Sequence, residues 1–344
     1  MDDSDEEAAI PVNSNKSSEI ALRLQKARSS SYWDLIGEAL QIEDYPCSTW
    51  VKRGIDDPHR GQIVHLFMVK MLLSMPDALL DHLLKRDVPY ARLNDVELND
   101  ILAKLSVHGA TNLKPSIYIN YLVDDNGLSP SPEELEEICE KVELYLDAST
   151  QKSHDYAFKI DNIVGRPSKW TKDAGQKGGR RYREKDSAEK NISNWVEAIR
   201  ARLETEPAGT PLSQPLSEVW YATYPENRLQ QHRIHDSSNY IMNLVGSICR
   251  ADLARCKISQ IFIFRFFETM LGRLAEILFT RSAQGYTTHG GGFSHAQAGA
   301  SFVHATDIPI GEYNKLKLKV LKGPIYIANL RKEVAIADDV AKKI

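Results

Sequence analysis

A short β-type run that stops at a proline and resumes as a helix constrains this chain more than any other feature. Val219, Trp220 and Tyr221 suit a pleated, half-buried surface, and Pro225 suits the first turn of a helix. The segment that follows carries Arg228, Leu229 and His232. Arg228 and His232 stand at i and i+4, so they share one face just beyond a strand end. Rigid strand ends that lead into helices are where phosphate-contacting and catalytic groups are held at the surface. The spacing therefore predicts a strand–turn–helix unit in a mixed fold, with Arg228 and His232 as candidate site residues. The plain alternative is a solvated helix face, since surface arginine is common.

The flanking sequence supplies helices on both sides. Residues 19–112 read as a helical module, with one buried helix over 62–84 and another over 93–105. At Pro115 the texture changes. Ser116–Val123 is β-branched and aromatic and ends in an Asp-Asp-Asn-Gly turn at 124–127. Ser131 then caps a helix that has Glu133 and Glu134 in its first turn. A strand is expected over 155–163, a helix over 188–203, a Pro-rich linker to 215, a helix over 238–249 and a strand over 258–264. A long amphipathic helix over 267–283 leads into the Gly-rich loop 288–295, and 316–320 reads as a last strand. The fold class is α+β: a helical N-terminal module, then a small mixed α/β domain over 113–320 with a long insertion at 124–215, and a C-terminal segment 321–344.

With 344 residues, 42% hydrophobic and 26% charged, the chain can bury a large core and two structured parts. A net charge of −4 excludes a uniformly basic nucleic-acid binder, but it hides a local asymmetry. Residues 1–18 form an acidic tail, expected to be disordered. Residues 165–185 hold Arg166, Lys169, Lys172, Lys177, Arg180, Arg181, Arg183 and Lys185 against Asp173 and Glu184, a net +6. With Trp170 and Tyr182 interleaved, this basic segment (164–185) has what a nucleic-acid contact strip needs, namely phosphate neutralisation and stacking faces. Gly165-Arg166-Pro167 resembles the core of an AT-hook, although Val164 stands where the usual preceding Arg would be. The competing reading is a solvated basic loop.

Four cysteines in so long a chain do not make a disulfide framework and are expected to be reduced. No apolar run approaches the ~18–20 residues that span a bilayer. The N-terminus is acidic rather than a basic-plus-apolar signal. An intracellular protein, nuclear or cytoplasmic and away from membranes, is expected. His289 and His295 flank three glycines and a Phe-Ser pair, but two histidines six apart are a weak metal pair, and a tight turn after a helix is the better reading.

Taken in order, these pieces resemble the GIY-YIG nuclease superfamily in degenerate form. In that family a β-hairpin carries the two name motifs, an Arg lies on the next helix, and a Glu on a later helix holds one divalent metal. Ser116-Ile117-Tyr118 takes the place of the first motif, and Glu218-Val219-Trp220 that of the second. Arg228-Leu229 and His232 fall where the family shows Arg-Leu followed by His. The resemblance covers about 115–123 and 216–295. It implies that Tyr118 sits by a nucleophilic water, that Arg228 holds the scissile phosphate, that His232 orients or assists the base, and that Glu276 ligates Mg²⁺ or Mn²⁺, with Glu268 as the alternative ligand. Glu in place of the second Tyr and Trp in place of Gly both strike the reaction centre.

The expected function is therefore nucleic-acid binding, with DNA as the form, through Arg166, Lys169, Lys177, Arg180, Arg181 and Arg183, and metal-dependent phosphodiester cleavage in an active version. The alternative is a catalytically inactive scaffold that uses its N-terminal helices to bind a protein partner.

Overall fold

The computed structural model describes residues 17–42, 58–106, 115–164, 180–183, 187–235, 239–299 and 308–343. The acidic tail up to residue 16, Cys47, and Arg166, Lys169, Trp170 and Lys177 of the basic segment lie outside the described residues. Among the described residues six helices come first: α1 (Ser17–Ser30), α2 (Tyr32–Leu40), α3 (Pro58–Leu73), α4 (Asp77–Lys85), α5 (Val88–Asn94) and α6 (Val96–Ser106). Then follow β1 (Ser116–Val123), α7 (Pro132–Leu146), α8 (Gln151–Asn162), α9 (Ala188–Leu203), β2 (Ser217–Ala222), α10 (Pro225–Arg233) and α11 (Tyr240–Asp252). The chain closes with β3 (Lys257–Arg265), α12 (Thr269–Ser282), α13 (Ile310–Leu321) and α14 (Pro324–Ala341). The fold is α+β, a helical protein around one small antiparallel sheet of order β2-β1-β3.

The central strand β1 is buried along its whole length, which suits its largely apolar sequence, interrupted by Ser116 and Asn120. Its alternation sorts two cores. Ile117, Ile119, Tyr121 and Val123, with Val219 and Tyr221 of β2, pack into one core with α1–α6 and α12. On the opposite face Leu122 joins a second core built from α7, α8, α9 and α11. Between them, on that second face, lies a row set by register: Tyr118 faces Trp220 and Phe262, and Asn120 faces Glu218 and Gln260. Period-two alternation thus places Tyr118, Asn120, Glu218 and Trp220 on one surface.

One apolar cluster runs from Ile20 to Tyr313, joining the N-terminal helices to the sheet. Several expectations are corrected. The helix expected over 62–84 breaks before Pro76, and its two parts, α3 and α4, meet at 109°. The helix expected over 93–105 divides into α5 and α6 at Asp95, which is extended. Residues 155–162 belong to helix α8, opened by a capping box at Thr150 and closed by Ile163 as C-cap, because the buried positions Ser153, Ala157 and Ile160 follow helical spacing. Residues 316–320 are helical in α13: Leu316 and Val320 pack at i and i+4 while Leu318 is exposed.

Among the described residues no single helix is long and apolar enough to cross a membrane. Cys139, Cys249 and Cys256 are buried and free of disulfides.

The Gly-rich loop is more than a turn. It lies against the outer edge of β2, where Ser217 N–H donates to Gly291 O at 3.2 Å and Phe293 N–H donates to Ser217 O at 3.0 Å. The Trp195 indole N–H donates to Gly292 O from the far side at 3.2 Å. A Cβ on Gly292 would sit 2.0 Å from Ser217 O, so the loop can cover this edge only without a side chain there.

Candidate functional site

The strand–turn–helix around Pro225 folds as its residues dictate, with Pro225 in the first turn of α10 and Leu229 anchoring the helix beside Tyr118 and Phe262. His232 is thereby turned inward, and its Nε2 lies 2.7 Å from the Tyr118 hydroxyl. Both residues are buried. Burial, with Arg228 nearby, pushes the His232 pKa down to about 3, so the ring is neutral at pH 7. A neutral imidazole that accepts at Nε2 takes the Tyr118 proton as a hydrogen bond.

Arg228 is half-buried and lies over the Trp220 ring, 5.0 Å from its centroid, with a further bond to Gln231 Oε1 at 2.9 Å. Its guanidinium also reaches the Tyr118 oxygen. Burial raises the Tyr118 pKa far above the usual phenol range; Arg228 opposes that rise, while Glu218 and Glu276 add to it. Trp220 packs edge-on against His232 as well, at 6.4 Å between centroids. It therefore covers both the imidazole and the guanidinium.

Beyond Trp220, β2 and α12 border a cavity of about 130 Å³ lined by Glu218, Asn239, Glu276, Thr280, Ser294 and His295, among others. Glu218 is held by amides: Asn239 donates to Oε1, and Asn120 Nδ2 stands 3.4 Å from Oε2. Burial nevertheless raises its pKa to about 7; Trp220, Asn239, Asn120 and Arg228 pull the other way. The Trp220 indole N–H lies near enough to favour the anion but outside hydrogen-bonding geometry. Glu276 is raised further, to about 8, first by burial and then by Glu218, against a Gly299 N–H and the charges of Arg273 and Arg228. Its Oε2 is buried with no hydrogen-bond partner.

These donors fit a hard divalent cation. The cavity offers carboxylate and hydroxyl oxygens with one orphaned carboxylate atom, and Mg²⁺ favours such ligands while keeping several waters. Among the described residues no group of three or more His, Cys, Asp or Glu forms a complete protein cage. Water would have to complete the shell.

The structure thus brings Tyr118, His232, Arg228 and Glu276 into one electrostatic neighbourhood. It does not bring Glu268 there. Glu268 precedes α12 at its far end, paired with Lys70 and with Lys317 at 2.8 Å. The two glutamates are eight residues apart, or ~12 Å along the helix axis. Nor does it bring the described part of the basic strip. Arg180 is buried beside Tyr145 and bonds His154 O at 3.3 Å. Arg181 donates to the carbonyls of Asp161, Val164, Ile234 and His235. Arg183 bonds Leu146 O at 3.0 Å and pairs with Glu189. These guanidiniums tie α8, α9 and the end of α10 together, as buried cations must when their acceptors are backbone carbonyls.

Sequence reasoning missed Asn120, Asn239 and Thr280. Asn120 lies two residues from Tyr118 and therefore on its face of the sheet. Asn239 serves twice, as N-cap of α11 through Met242 N and as donor to Glu218. Thr280 follows Glu276 by four, the spacing that shares a helix face. Compared with models of known protein families, with curated proteins and with solved structures, the chain matches none.

Proposed function

We propose that this chain is a nucleic-acid-binding protein, with DNA as the expected form. On this reading its phosphodiester site follows the plan of a degenerate GIY-YIG domain, and Trp220 holds that site closed. The observation that carries it is the convergence of Arg228, the neutral Tyr118–His232 pair and the Glu276 carboxyl around one strand edge. Arg228 would hold a phosphate by paired N–H donors, and Tyr118, hydrogen-bonded to His232, would orient a water and pass on its proton. Glu276 would hold a divalent cation, whose chemistry is to polarise the phosphate and stabilise charge on the leaving oxygen. A second hollow, of about 550 Å³, lies on the other flank of α10 between α6 and β3, with Arg92 and Arg233 on its lining, and offers room for the nucleic-acid backbone.

The test is duplex and single-stranded DNA binding across a salt series, with nicking measured in Mg²⁺ and Mn²⁺. Arg228→Ala should weaken binding, and Glu276→Ala should abolish any nicking while leaving binding in place. Wild-type chain that binds neither form of DNA sinks this reading.

A second reading, docking of a partner protein on the N-terminal helices, is favoured by the exposure of Ile63, Leu66, Leu93 and Val96 in α3, α5 and α6. Leu66→Glu and Val96→Glu variants that keep DNA binding but change the sedimentation of the chain would speak for it.

A further inference from the structure

Glu218 counts as a loss when the chain is set beside a working nuclease, because a carboxylate near a phosphate is repulsive unless something positive stands between. Its position answers that objection. Glu218 enters from β2 and Glu276 from α12, and both line the same cavity of about 130 Å³. One turn beyond Glu276, Thr280 lines it too. Two oxygens there are buried and have no hydrogen-bond partner: Glu276 Oε2 and Thr280 Oγ1. The residues that carry them are 7% and 1% exposed.

Buried polar atoms are normally satisfied, so two orphans on residues that line one cavity with a second carboxylate point to an occupant. Glu218 is prepared as an acceptor. The Asn239 and Asn120 amides each donate to one of its oxygens, and each oxygen keeps a lone pair for another partner. Asn239 is itself fixed by donating to Phe293 O at 2.8 Å and by capping α11, so the amide that holds Glu218 has a set position. The cavity is many times the ~10–15 Å³ that a single water needs, enough for an ion and part of its hydration shell.

We propose that Glu218 and Glu276 together hold one divalent cation in this cavity, with the Thr280 hydroxyl and water completing an all-oxygen shell. This rests on reading Glu276 as a cation ligand and adds Glu218 as the second protein ligand. A two-carboxylate site binds the ion in the free protein, before any nucleic acid arrives. Oxygen-only ligands on a strand edge and a helix select a hard ion of the Mg²⁺ or Mn²⁺ class.

Mn²⁺ binding to the metal-free full chain tests this, followed by loss of the free-ion electron paramagnetic resonance signal. The expected result is one tight site per chain, displaced by excess Mg²⁺. Glu218→Gln and Glu276→Gln should each weaken it by about tenfold or more, since even outer-shell partners matter that much. Thr280→Val, nearly isosteric and gentler on the fold, should weaken it by a smaller factor. Glu312→Gln, on the exposed first turn of α13, should leave it unchanged. If Glu218→Gln binds Mn²⁺ as the wild type does while Glu276→Gln does not, the second ligand is refuted and the single-carboxylate site stands. If the free wild-type chain binds no Mn²⁺, the proposal fails. Arg228-dependent DNA binding, measured in chelator, then decides the broader reading separately.

Discussion

The Tyr118 hydroxyl and His232 Nε2 lie 2.7 Å apart inside the protein, one from the middle of the sheet and the other from the inner face of α10. Arg228 also reaches the Tyr118 oxygen, so removing His232 costs the hydroxyl one of two partners, while removing the hydroxyl costs Nε2 its hydrogen bond. His232→Phe should cost about 1–3 kcal/mol of unfolding free energy, the penalty for breaking a buried hydrogen bond on one side only. Tyr118→Phe should cost a similar amount, and the double variant less than the sum, with a coupling of about 0.5–3 kcal/mol. Urea unfolding of the four proteins measures this. Strict additivity would mean that the pair does not hydrogen-bond in solution.

Gly292 is wedged between two carbonyls, 2.0 Å from Ser217 O and 2.3 Å from Gly285 O measured from the Cβ that alanine would add. Backbone cannot yield as a flexible side chain can. Gly292→Ala should destabilise by more than about 3 kcal/mol, the upper end for overpacking, and loosen the loop that walls the cavity. Gly311→Ala, with nothing within 4 Å of the added carbon, is the control and should be neutral or mildly stabilising in its helix. Equal thermal shifts for the two would contradict the placement of the loop.

The sheet was legible because its signals were local: β1 is rich in β-branched and aromatic residues, and Pro225 punctuates the end of β2. The grouping of Tyr118, Arg228, His232 and Glu276 was an expectation drawn from a resemblance in motif order; in the fold Tyr118 meets His232 directly and Arg228 and Glu276 through their charges. The partition of the core was not legible, since nothing in α1–α6 announces that their apolar faces need the sheet to cover them. Residues 155–162 and 316–320 alternate in hydrophobicity but are helical, because tertiary burial chose the i, i+4 subset in each. The arginines at 180–183 looked like a phosphate strip by charge alone. Charge counting cannot see the carbonyls of Asp161, Val164, Ile234 and His235 that occupy Arg181. Asn120 and Asn239 were invisible as site residues, because an amide earns that role only from the carboxylate beside it.

Asp161 gives a pH dependence of definite sign. It accepts from the Tyr145 hydroxyl at 2.7 Å, yet burial raises its pKa from the ordinary value near 4 to about 6, against the pull of Tyr145, Arg180 and Arg181. A carboxyl whose folded pKa lies above its unfolded one adds stability below the unfolded value, and that contribution is lost as pH rises through the folded value. Wild-type chain should therefore lose about 1–3 kcal/mol from this group between pH 4 and pH 7. Asp161→Asn, which still accepts from Tyr145, should lack this component. The stability difference between variant and wild type should then move in the variant's favour with rising pH. Parallel pH profiles in urea unfolding would rule it out.

Arg228 and the arginines at 180–183 should separate in a salt titration. Arg228→Ala should lower the steepness of log K against log salt by about one, as loss of one phosphate contact does. Arg181→Ala removes a guanidinium bonded to four carbonyls, so it should lower the melting temperature and leave the salt slope alone. The reverse pattern would return the nucleic-acid contact to the 180–183 segment.

Trp220 is the residue on which occlusion depends. Its ring lies 5.0 Å from Arg228 and 6.4 Å from His232, so on the proposed reading it stands between the groups that would meet a phosphate. Trp220→Gly should open that space and release the guanidinium from its stacked position. The expected outcome is tighter DNA binding and metal-dependent nicking above the wild-type level, at a cost of about 1–3 kcal/mol in stability from the lost contacts. Trp220→Phe keeps a smaller lid and should fall between the two. Nicking that rises in Trp220→Gly and disappears in Trp220→Gly/Glu276→Gln would attribute the chemistry to this cavity. If the glycine variant remains folded by circular dichroism and neither binds nor cuts better than wild type, Trp220 is packing rather than a lid.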